Sequence, residues 1–378
     1  MPVDPAANPA DLRRAVARAL DGGPTVVATG QTPDAPVPPG TAMVVPTSGS
    51  TGEPRAVALS AAALRASADA THARLGGAGD WLLALPATHV AGLQVVSRSV
   101  VGGGALVTTA FDRFTPDVVV RLEGKAHGKR RYLSLVPTQL HRVMDAGGPA
   151  VAALARLDAV LLGGAPAAPA LLDRARAAGI PVVTTYGMTE TCGGCVYDGV
   201  PLDGVRVRLG HGPAGPVVEL GGPVLAAGYV GDPHATDAAF VESDGLRWFR
   251  TNDLGAWDGA TLRVLGRADD VILTGGVNVA PVGVEEVVAG LDGVGEACVV
   301  GVPDAEWGQV VVAVVTSRSR AEPLDGATLL PELRARVTAR LGGPAAPRRV
   351  VVVDALPLRD SGKVDRAACR ALAERQRE

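Results

Sequence analysis

One stretch of small residues, 47–55, constrains this chain more than any other. Four hydroxyl side chains and two glycines stand there between two apolar runs, 42–45 and 56–59. The pattern predicts a strand, a flexible turn and a second strand. Because glycine lets the backbone approach a ligand, and successive N–H groups in such a turn form an anion-binding surface, the turn suits phosphate. The hydroxyl groups add donors, and Arg55 adds a permanent positive charge.

Taken alone, such a stretch is more typical of a surface loop than of a phosphate site. It also lacks the Gly-Lys-Ser/Thr sequence at the start of a helix that defines a Walker phosphate loop. The phosphate interpretation therefore depends on the motifs that follow it in the chain.

Composition limits the class of protein. With 378 residues and 47% hydrophobic content, the chain is long enough for two or more domains with their own cores. A formal net charge of -3 does not favour nucleic acid or an anionic membrane as a partner. Neither a basic leader nor an apolar run of membrane-spanning length is visible, so we expect a cytoplasmic protein. Cys192 and Cys195 form a lone CxxC pair, which leaves a redox or metal protein as a minor alternative.

The order of apolar segments predicts a multi-domain α/β protein. Up to about residue 200, short apolar strands alternate with helices, which is typical of a large layered α/β domain. Short runs between residues 205 and 265, separated by glycine turns, predict a small antiparallel β region. A compact α+β unit is predicted beyond it. We place the boundary after Ala268, which gives domains of residues 1–268 and 269–378.

Two further motifs combine groups that suit a nucleotide. Residues 186–191 follow a predicted parallel strand, at the position where α/β sheets bind ligands. The ring of Tyr186 can stack on a purine, and the carboxylate of Glu190 can hold Mg²⁺, which prefers oxygen ligands. In residues 251–253, Asp253 can accept hydrogen bonds from ribose hydroxyl groups. Each of these motifs alone also matches an ordinary polar turn.

The remaining motifs lie in the last third of the chain. A turn at 266–270 is followed by a glycine pair at 275–276, and a glycine turn at 358–366 presents Lys363. Only three lysines occur in a chain whose other basic side chains are arginines. A solitary lysine is usually solvated, but its retention inside a motif indicates a function.

In order and in sequence, these five motifs resemble those of the adenylate-forming superfamily of acyl-CoA synthetases and adenylation domains. The resemblance extends from residue 47 to the end of the chain. It implies an AMP-forming ligase with a large N-terminal domain and a mobile C-terminal domain. A carboxylate and ATP first give an acyl-adenylate and pyrophosphate, and a thiol then displaces AMP. ATP and CoA are the implied co-substrates, and Mg²⁺ is the implied cofactor.

The resemblance also implies roles for individual residues. The ATP-binding set is Thr47, Ser48, Gly49, Ser50, Thr51, Gly52, Arg55, Gly163, Gly164, Ala165, Tyr186, Gly187, Thr189, Asp253 and Arg267. Within this set the loop at 47–55 holds the β- and γ-phosphates, and residues 163–165 with Tyr186 frame the adenine. Thr189 contacts the α-phosphate, and Asp253 with Arg267 holds the ribose.

The implied catalytic groups are Lys363, Thr189, Glu190 and His89. Glu190 is the Mg²⁺ ligand, and Lys363 bridges the reacting carboxylate and the α-phosphate. Because both reactants are anions, a buried ammonium would neutralise charge as the pentavalent phosphorus forms. Asp269 is the implied hinge about which the C-terminal domain rotates between the two steps.

A narrower resemblance concerns the acid. Residues 134–140, 161–166 and 187–204 resemble 2-succinylbenzoate–CoA ligases of menaquinone biosynthesis. The implied function is therefore ligation of 2-succinylbenzoate to CoA, with release of AMP and pyrophosphate.

The same family implies an acid-binding pocket of His89, Arg98, Ser134 and Gly187. In that family an arginine nine residues after a pocket histidine pairs with the substrate's carboxylate, and His89 and Arg98 have this spacing. Arg98 lies among apolar residues, so a buried charge there would need an anionic partner. The alternative is an arginine on a helix surface.

Two departures from the family leave questions open. The loop carries Pro54 and Arg55 where relatives usually have proline and lysine, although arginine can still clamp phosphate. The region before the loop is shorter than in most relatives, which leaves any homodimer contact open.

Three alternatives remain beside the main interpretation and the redox or metal protein mentioned above. One is another aryl- or acyl-CoA ligase, and the second is a stand-alone adenylation domain that loads a carrier protein. The third is a non-catalytic nucleotide-binding homologue, but such a chain would be expected to lack Glu190 or Lys363, and both are present.

Overall fold

The computed structural model of the protein describes residues 8–28, 34–47, 55–110, 113–319, 323–359 and 362–376. Its α-helices are α1 Pro9–Leu20, α2 Ala61–Arg74, α3 Val90–Val101, α4 Pro116–Glu123, α5 Pro137–Ala146, α6 Gly148–Ala155, α7 Pro169–Ala177, α8 Pro233–Ala239, α9 Pro281–Ala289, α10 Gly326–Leu341 and α11 Arg366–Arg375. Its strands are β1 Val26–Val27, β2 Thr41–Pro46, β3 Ala56–Ser60, β4 Asp80–Leu82, β5 Leu106–Val107, β6 Arg131–Leu135, β7 Ala159–Leu162, β8 Val182–Met188, β9 Gly193–Tyr197, β10 Val200–Pro201, β11 Arg206–Gly212, β12 Gly215–Gly221, β13 Gly228–Tyr229, β14 Phe240–Ser243, β15 Leu246–Trp257, β16 Leu262–Arg267, β17 Ile272–Thr274, β18 Val277–Val279, β19 Val294–Asp304, β20 Gly308–Ser317 and β21 Arg349–Val353.

The central sheet has seven strands in the order β10-β9-β8-β7-β6-β4-β5, and its members from β8 to β5 run parallel. Successive side chains of a strand point to opposite faces. Tyr132 and Leu133, which are neighbours on β6, accordingly belong to separate hydrophobic cores on the two faces. The near-continuous apolar character of these strands is typical of a parallel sheet that is buried on both sides. Their carboxyl ends lie along one edge.

A second sheet, in the order β1-β2-β3-β13, contains the hairpin around the phosphate-loop stretch. Strands β2 and β3 pair antiparallel, with Val45 opposite Val57. The Thr47 amide donates a hydrogen bond to the Arg55 carbonyl at 2.8 Å, which closes the base of the turn. The two predicted strands are therefore confirmed. The predicted phosphate ligands Ser48, Gly49, Ser50, Thr51 and Gly52 lie outside the described residues.

The predicted antiparallel β region is confirmed as a third sheet, in the order β11-β12-β15-β14 with β16 beside β15. Its register places Asp253 on β15 opposite Arg267 on β16. Two residues that are distant in sequence are thereby brought together at the end of a strand pair.

A fourth sheet, in the order β18-β17-β20-β19 with β21 parallel to β20, forms the last part of the chain with α9, α10 and α11. It has a core of its own, which includes the buried Val311 and Val315. A single 3₁₀ turn, Ala268–Asp270, separates β16 from this unit. We propose on this basis a domain boundary after Ala268, between domains of residues 1–268 and 269–378. Within the described ranges, no helix is both long and apolar enough to cross a bilayer.

Candidate active site

A cavity of about 1140 Å³ opens at the carboxyl edge of the central sheet. Its walls come from all four sheets, so the topology brings together motifs from the whole chain. The predicted site residues that line it are Thr47, Arg55, His89, Arg98, Ser134, Gly163, Gly164, Gly187, Thr189, Glu190, Asp253, Arg267, Asp269 and Lys363. Tyr186 does not line this cavity, and Ala165 lines a smaller neighbouring one.

The ends of β6, β7 and β8 form the floor of the cavity. Gly164, just after β7, has a φ of +84°, a conformation that side chains rarely adopt. At Gly187, on β8, a Cβ atom would lie 2.1 Å from the Gly193 carbonyl oxygen, so only glycine fits. Glycine is thus required at Gly164 by its positive φ and at Gly187 by the close approach of the Gly193 backbone.

The C-terminal unit contributes the side chain of Lys363 to the lining of the cavity. Its Cε lies 3.0 Å from the position of a Cβ on Gly164, which places the side chain directly over the end of β7. Burial, together with the guanidinium groups of Arg359 and Arg267, lowers the pKa of Lys363, and the Asp253 carboxylate opposes this shift. The surroundings therefore oppose the charged form of the amine, and an anionic ligand beside it would favour that form.

Asp253 is fixed by two neighbours at the side of the cavity. It accepts a hydrogen bond from the Tyr186 hydroxyl at 2.7 Å and lies 3.5 Å from Arg267 Nη1. Burial raises the pKa of Asp253, and the Tyr186 hydrogen bond and Arg267 oppose that shift. Tyr186 thus reaches Asp253 through its hydroxyl, and its predicted stacking on adenine stays a prediction.

Glu190 lies at the start of the turn that follows β8. Its Oε1 accepts a hydrogen bond from the Tyr229 hydroxyl at 3.0 Å. Burial raises the pKa of Glu190, and the charges of Arg267 and Arg55 oppose the shift. Arg55 in turn lies 5.2 Å above the centre of the Tyr229 ring. The region therefore combines one partly buried carboxylate with two cations, a set of groups that suits a polyphosphate and a divalent cation together.

Arg98 is buried, with 4% of its surface exposed, so the alternative of a helix-surface arginine is wrong. Its guanidinium lies 5.0 Å from the centre of the Trp81 ring, and Nη2 donates to the Tyr197 hydroxyl at 3.2 Å. Its Nε is buried without a hydrogen-bond partner. Among the residues that the structure describes, no carboxylate pairs with it. A buried guanidinium of this kind calls for an anionic ligand.

Sequence reasoning missed the residues that hold Arg98 in place. The Tyr197 hydroxyl accepts from Arg98 and is 3.0 Å from the Thr71 hydroxyl, to which its own proton is available. Trp81 Nε1 donates to His72 Nε2 at 3.2 Å. Burial and the charge of Arg98 lower the pKa of His72, which favours the neutral ring beside the guanidinium. Tyr197 lies inside the stretch 187–204, but nothing in its spacing distinguishes it.

The CxxC cysteines pack behind the cavity. Cys192 and Cys195 are both completely buried, and burial raises the pKa of Cys195 to about 12. Thiols with raised pKa values are poor nucleophiles and poor metal ligands. No group of three or more His, Cys, Asp or Glu side chains suited to a metal occurs in the described part of the chain.

Comparisons with known proteins agree with this arrangement. A family model described as "AMP-binding enzyme" matches residues 4–221, and one described as "AMP-binding enzyme C-terminal domain" matches residues 283–363. A "Probable 2-succinylbenzoate--CoA ligase" of Mycobacterium tuberculosis is 49% identical over 335 residues, which cover 86% of this chain and 83% of the relative.

Two solved structures share the fold. An o-succinylbenzoate CoA synthetase from Bacillus subtilis, in complex with an acyl-adenylate intermediate, has a TM-score of 0.70 and 26% identity, and the match covers 95% of this chain and 80% of that one. ATP-bound MatB from Rhodopseudomonas palustris has a TM-score of 0.75 and 28% identity, and the match covers 88% and 68%. The expected adenylate-forming fold is confirmed.

The environment of Lys363 predicts unusual reactivity. The chain has only three lysines, and Lys125 and Lys129 are exposed internal controls. Because burial lowers the pKa of Lys363, its neutral amine should form at lower pH. Trace labelling with acetic anhydride, followed by peptide mass spectrometry across a pH series, should therefore modify Lys363 at lower pH than the other two. Labelling of Lys363 at the same or higher pH would contradict the buried placement.

Proposed function

The chain belongs to the AMP-binding enzyme family, and from that premise we propose that it ligates 2-succinylbenzoate to CoA, releasing AMP and pyrophosphate, in menaquinone biosynthesis. The observation that carries the choice of acid is Arg98, a buried guanidinium that lines the same cavity as Lys363. An acid with two carboxylates can use both cations, because one carboxylate reacts beside Lys363 while the other pairs with Arg98. The names of the M. tuberculosis relative and of the B. subtilis structure support the same acid.

The first step is adenylation. A carboxylate oxygen of the acid attacks the α-phosphorus of ATP, an O–P bond forms, and the bond to pyrophosphate breaks. Two anions must meet for this to happen, and the Lys363 ammonium over the end of β7 can contact both. Thr189, buried at the end of β8, offers a hydroxyl donor to the α-phosphate. Because the Lys363 ammonium is poorly solvated in the free enzyme, it would be strongly stabilised when these anions bind beside it.

The nucleotide's other parts have partners in the cavity. Asp253 can accept from ribose hydroxyl groups while Arg267, already 3.5 Å from it, closes the same side. Arg55, over the Tyr229 ring, can clamp the terminal phosphates. The donor set also fits Mg²⁺, since Glu190 offers a hard carboxylate oxygen and this cation uses one or two carboxylates with substrate phosphates. When bound, Mg²⁺ would neutralise phosphate charge.

The second step is acyl transfer. The CoA sulfur attacks the carbonyl carbon of the acyl-adenylate, a thioester bond forms, and AMP leaves with the electron pair of the broken C–O bond. We propose that the C-terminal domain rotates about Asp269 between the steps. Asp269 is held by Arg267 at 2.8 Å and by Asn252 at 3.3 Å, so a rotation there exchanges polar contacts at the rim of the cavity. His89 and Ser134 line the same cavity, which supports the proposal that they contact the acid.

Two further expectations belong to the proposal. A cytoplasmic location fits an enzyme whose co-substrates are ATP and CoA. The sequence leaves a homodimer open, and light scattering of the purified protein would test for one.

A substrate panel tests the proposal directly. With ATP, Mg²⁺ and CoA, the purified protein should convert 2-succinylbenzoate to its CoA thioester, detected by mass spectrometry, with a higher kcat/KM than benzoate or a fatty acid. Benzoate lacks the second carboxylate, so it cannot use Arg98. A higher kcat/KM for benzoate or a fatty acid would overturn the choice of acid, and transfer only to a carrier protein would favour an adenylation domain.

The Arg98→Ala variant tests the residue that carries the choice. A charge-assisted hydrogen bond is worth about 1.5–3 kcal/mol, so the KM for 2-succinylbenzoate should rise about 10- to 150-fold. The KM for ATP should remain unchanged, and so should the weak activity on benzoate. Arg336→Ala, on an exposed face of α10, is the matched control. An unchanged KM for 2-succinylbenzoate would remove Arg98 from the acid site.

A further inference from the structure

We propose that Thr138 is a positioning residue for adenylation, because its hydroxyl holds the turn that carries Lys363 against the large domain. This inference rests on the proposed function, and it identifies Thr138 as the residue that positions Lys363 for that reaction. Thr138 Oγ1 donates a hydrogen bond to the Gly362 carbonyl at 2.9 Å. The two residues are 224 positions apart in sequence, and Gly362 directly precedes Lys363.

The turn that carries Lys363 is closed by its own backbone. The Arg359 amide donates to the Lys363 carbonyl at 2.8 Å, and the Gly362 amide donates to the Arg359 carbonyl at 2.8 Å. A bridge between Leu358 and Val364 flanks these bonds. The Gly362 carbonyl takes no part in them and is directed to Thr138. Because the turn is closed, a hydrogen bond to Gly362 fixes the adjacent Lys363.

The platform on which this turn rests belongs to the central sheet. Thr138 lies in the first turn of α5, directly after β6 and Val136. Gln139 accepts from the Val136 amide at 3.1 Å and donates to the Ala84 carbonyl at 3.1 Å, which anchors the start of α5. Val136 also lies 3.4 Å from the Cβ positions of both Gly164 and Gly362. The floor of the active site and the support for the lysine turn are thus parts of one continuous segment, residues 134–139.

The contact between the two units is not continuous around this hydrogen bond. A second cavity of about 130 Å³ lies between them, lined by Thr138 and His141 of α5 and by Glu296 and Leu356 of the C-terminal unit. Because Thr138, Gly362 and Lys363 all line this cavity, packed side chains do not enclose the Thr138 hydrogen bond on that side.

The bond must break for the second step if the C-terminal domain rotates. The Thr138 hydroxyl and the Gly362 carbonyl then form hydrogen bonds with water instead. The bond therefore contributes only modestly to the free energy of docking, and the docked and rotated states can interconvert. Loss of the hydroxyl should therefore shift the population away from the docked state, and should slow adenylation without slowing acyl transfer.

Matched variants separate this role from a structural one. Thr138→Val keeps the side-chain shape and removes the donor, while Thr138→Ser keeps the donor. Thr41→Val is the control, because it removes a threonine-to-carbonyl hydrogen bond, to Pro38 at 2.6 Å, inside the large domain. Lys363→Ala supplies the limiting case, in which acid-dependent pyrophosphate release should be lost while transfer from preformed acyl-adenylate to CoA persists.

Thr138→Val should lower the rate of acid-dependent pyrophosphate release by about 2- to 10-fold, the loss expected for one neutral hydrogen bond. Transfer from preformed acyl-adenylate should stay at the wild-type rate, and Thr138→Ser should restore adenylation. Equal losses in both half-reactions, or no loss in either, would overturn the proposal.

Labelling of Lys363 by acetic anhydride in the free enzyme gives a readout that does not depend on the substrate. In Thr138→Val, Lys363 should be labelled with a pH dependence closer to that of the exposed Lys125 and Lys129. An unchanged profile would overturn the positioning role even if the acid were misassigned. If wild-type enzyme released no pyrophosphate with 2-succinylbenzoate but the profile shifted, the proposed function would fail and the positioning role would stand.

Discussion

The structure depends on two cations that line one cavity, the buried Arg98 and the partly buried Lys363, and that lack carboxylate partners among the described residues. Arg98 lies on Trp81 and Tyr197, and Lys363 lies over Gly164. Burying a charge without an ion pair is unfavourable, so such an arrangement persists only where a ligand supplies the missing anion. In the proposed function, ATP and a dicarboxylic acid would supply it at both positions, so that the unfavourable burial would be part of substrate recognition.

The placement of Lys363 also affects how the C-terminal unit docks on the large domain. The surroundings of Lys363 lower the pKa of its amine, so the charged side chain does not itself favour the docked position of the C-terminal unit. The contact is instead supported by small terms, such as the Thr138 hydrogen bond and the polar contacts of Asp269. Small terms would suit the proposed rotation, in which the domain docks for one step and leaves for the next, because neither state is then trapped.

Features that depend only on residues close together in the chain could be predicted from the sequence. The strands on either side of the 47–55 stretch, the glycine turn at Gly164 and the buried Arg98 follow from patterns within a few residues. The contacts of Tyr197 with Arg98 and of Thr138 with Gly362 could not be predicted. They join positions far apart in sequence, and which side chains meet there depends on how the helices and the C-terminal unit pack.

The most direct test of this account is a crystal structure of the protein with a non-hydrolysable 2-succinylbenzoyl-adenylate analogue. The unreacted carboxylate should lie within hydrogen-bonding distance of the Arg98 guanidinium, about 2.7–3.2 Å, with the phosphate-mimicking group beside Lys363. Tyr197 should keep its contact with Arg98. A carboxylate that points to solvent, with Arg98 still bonded only to Tyr197, would contradict the central claim.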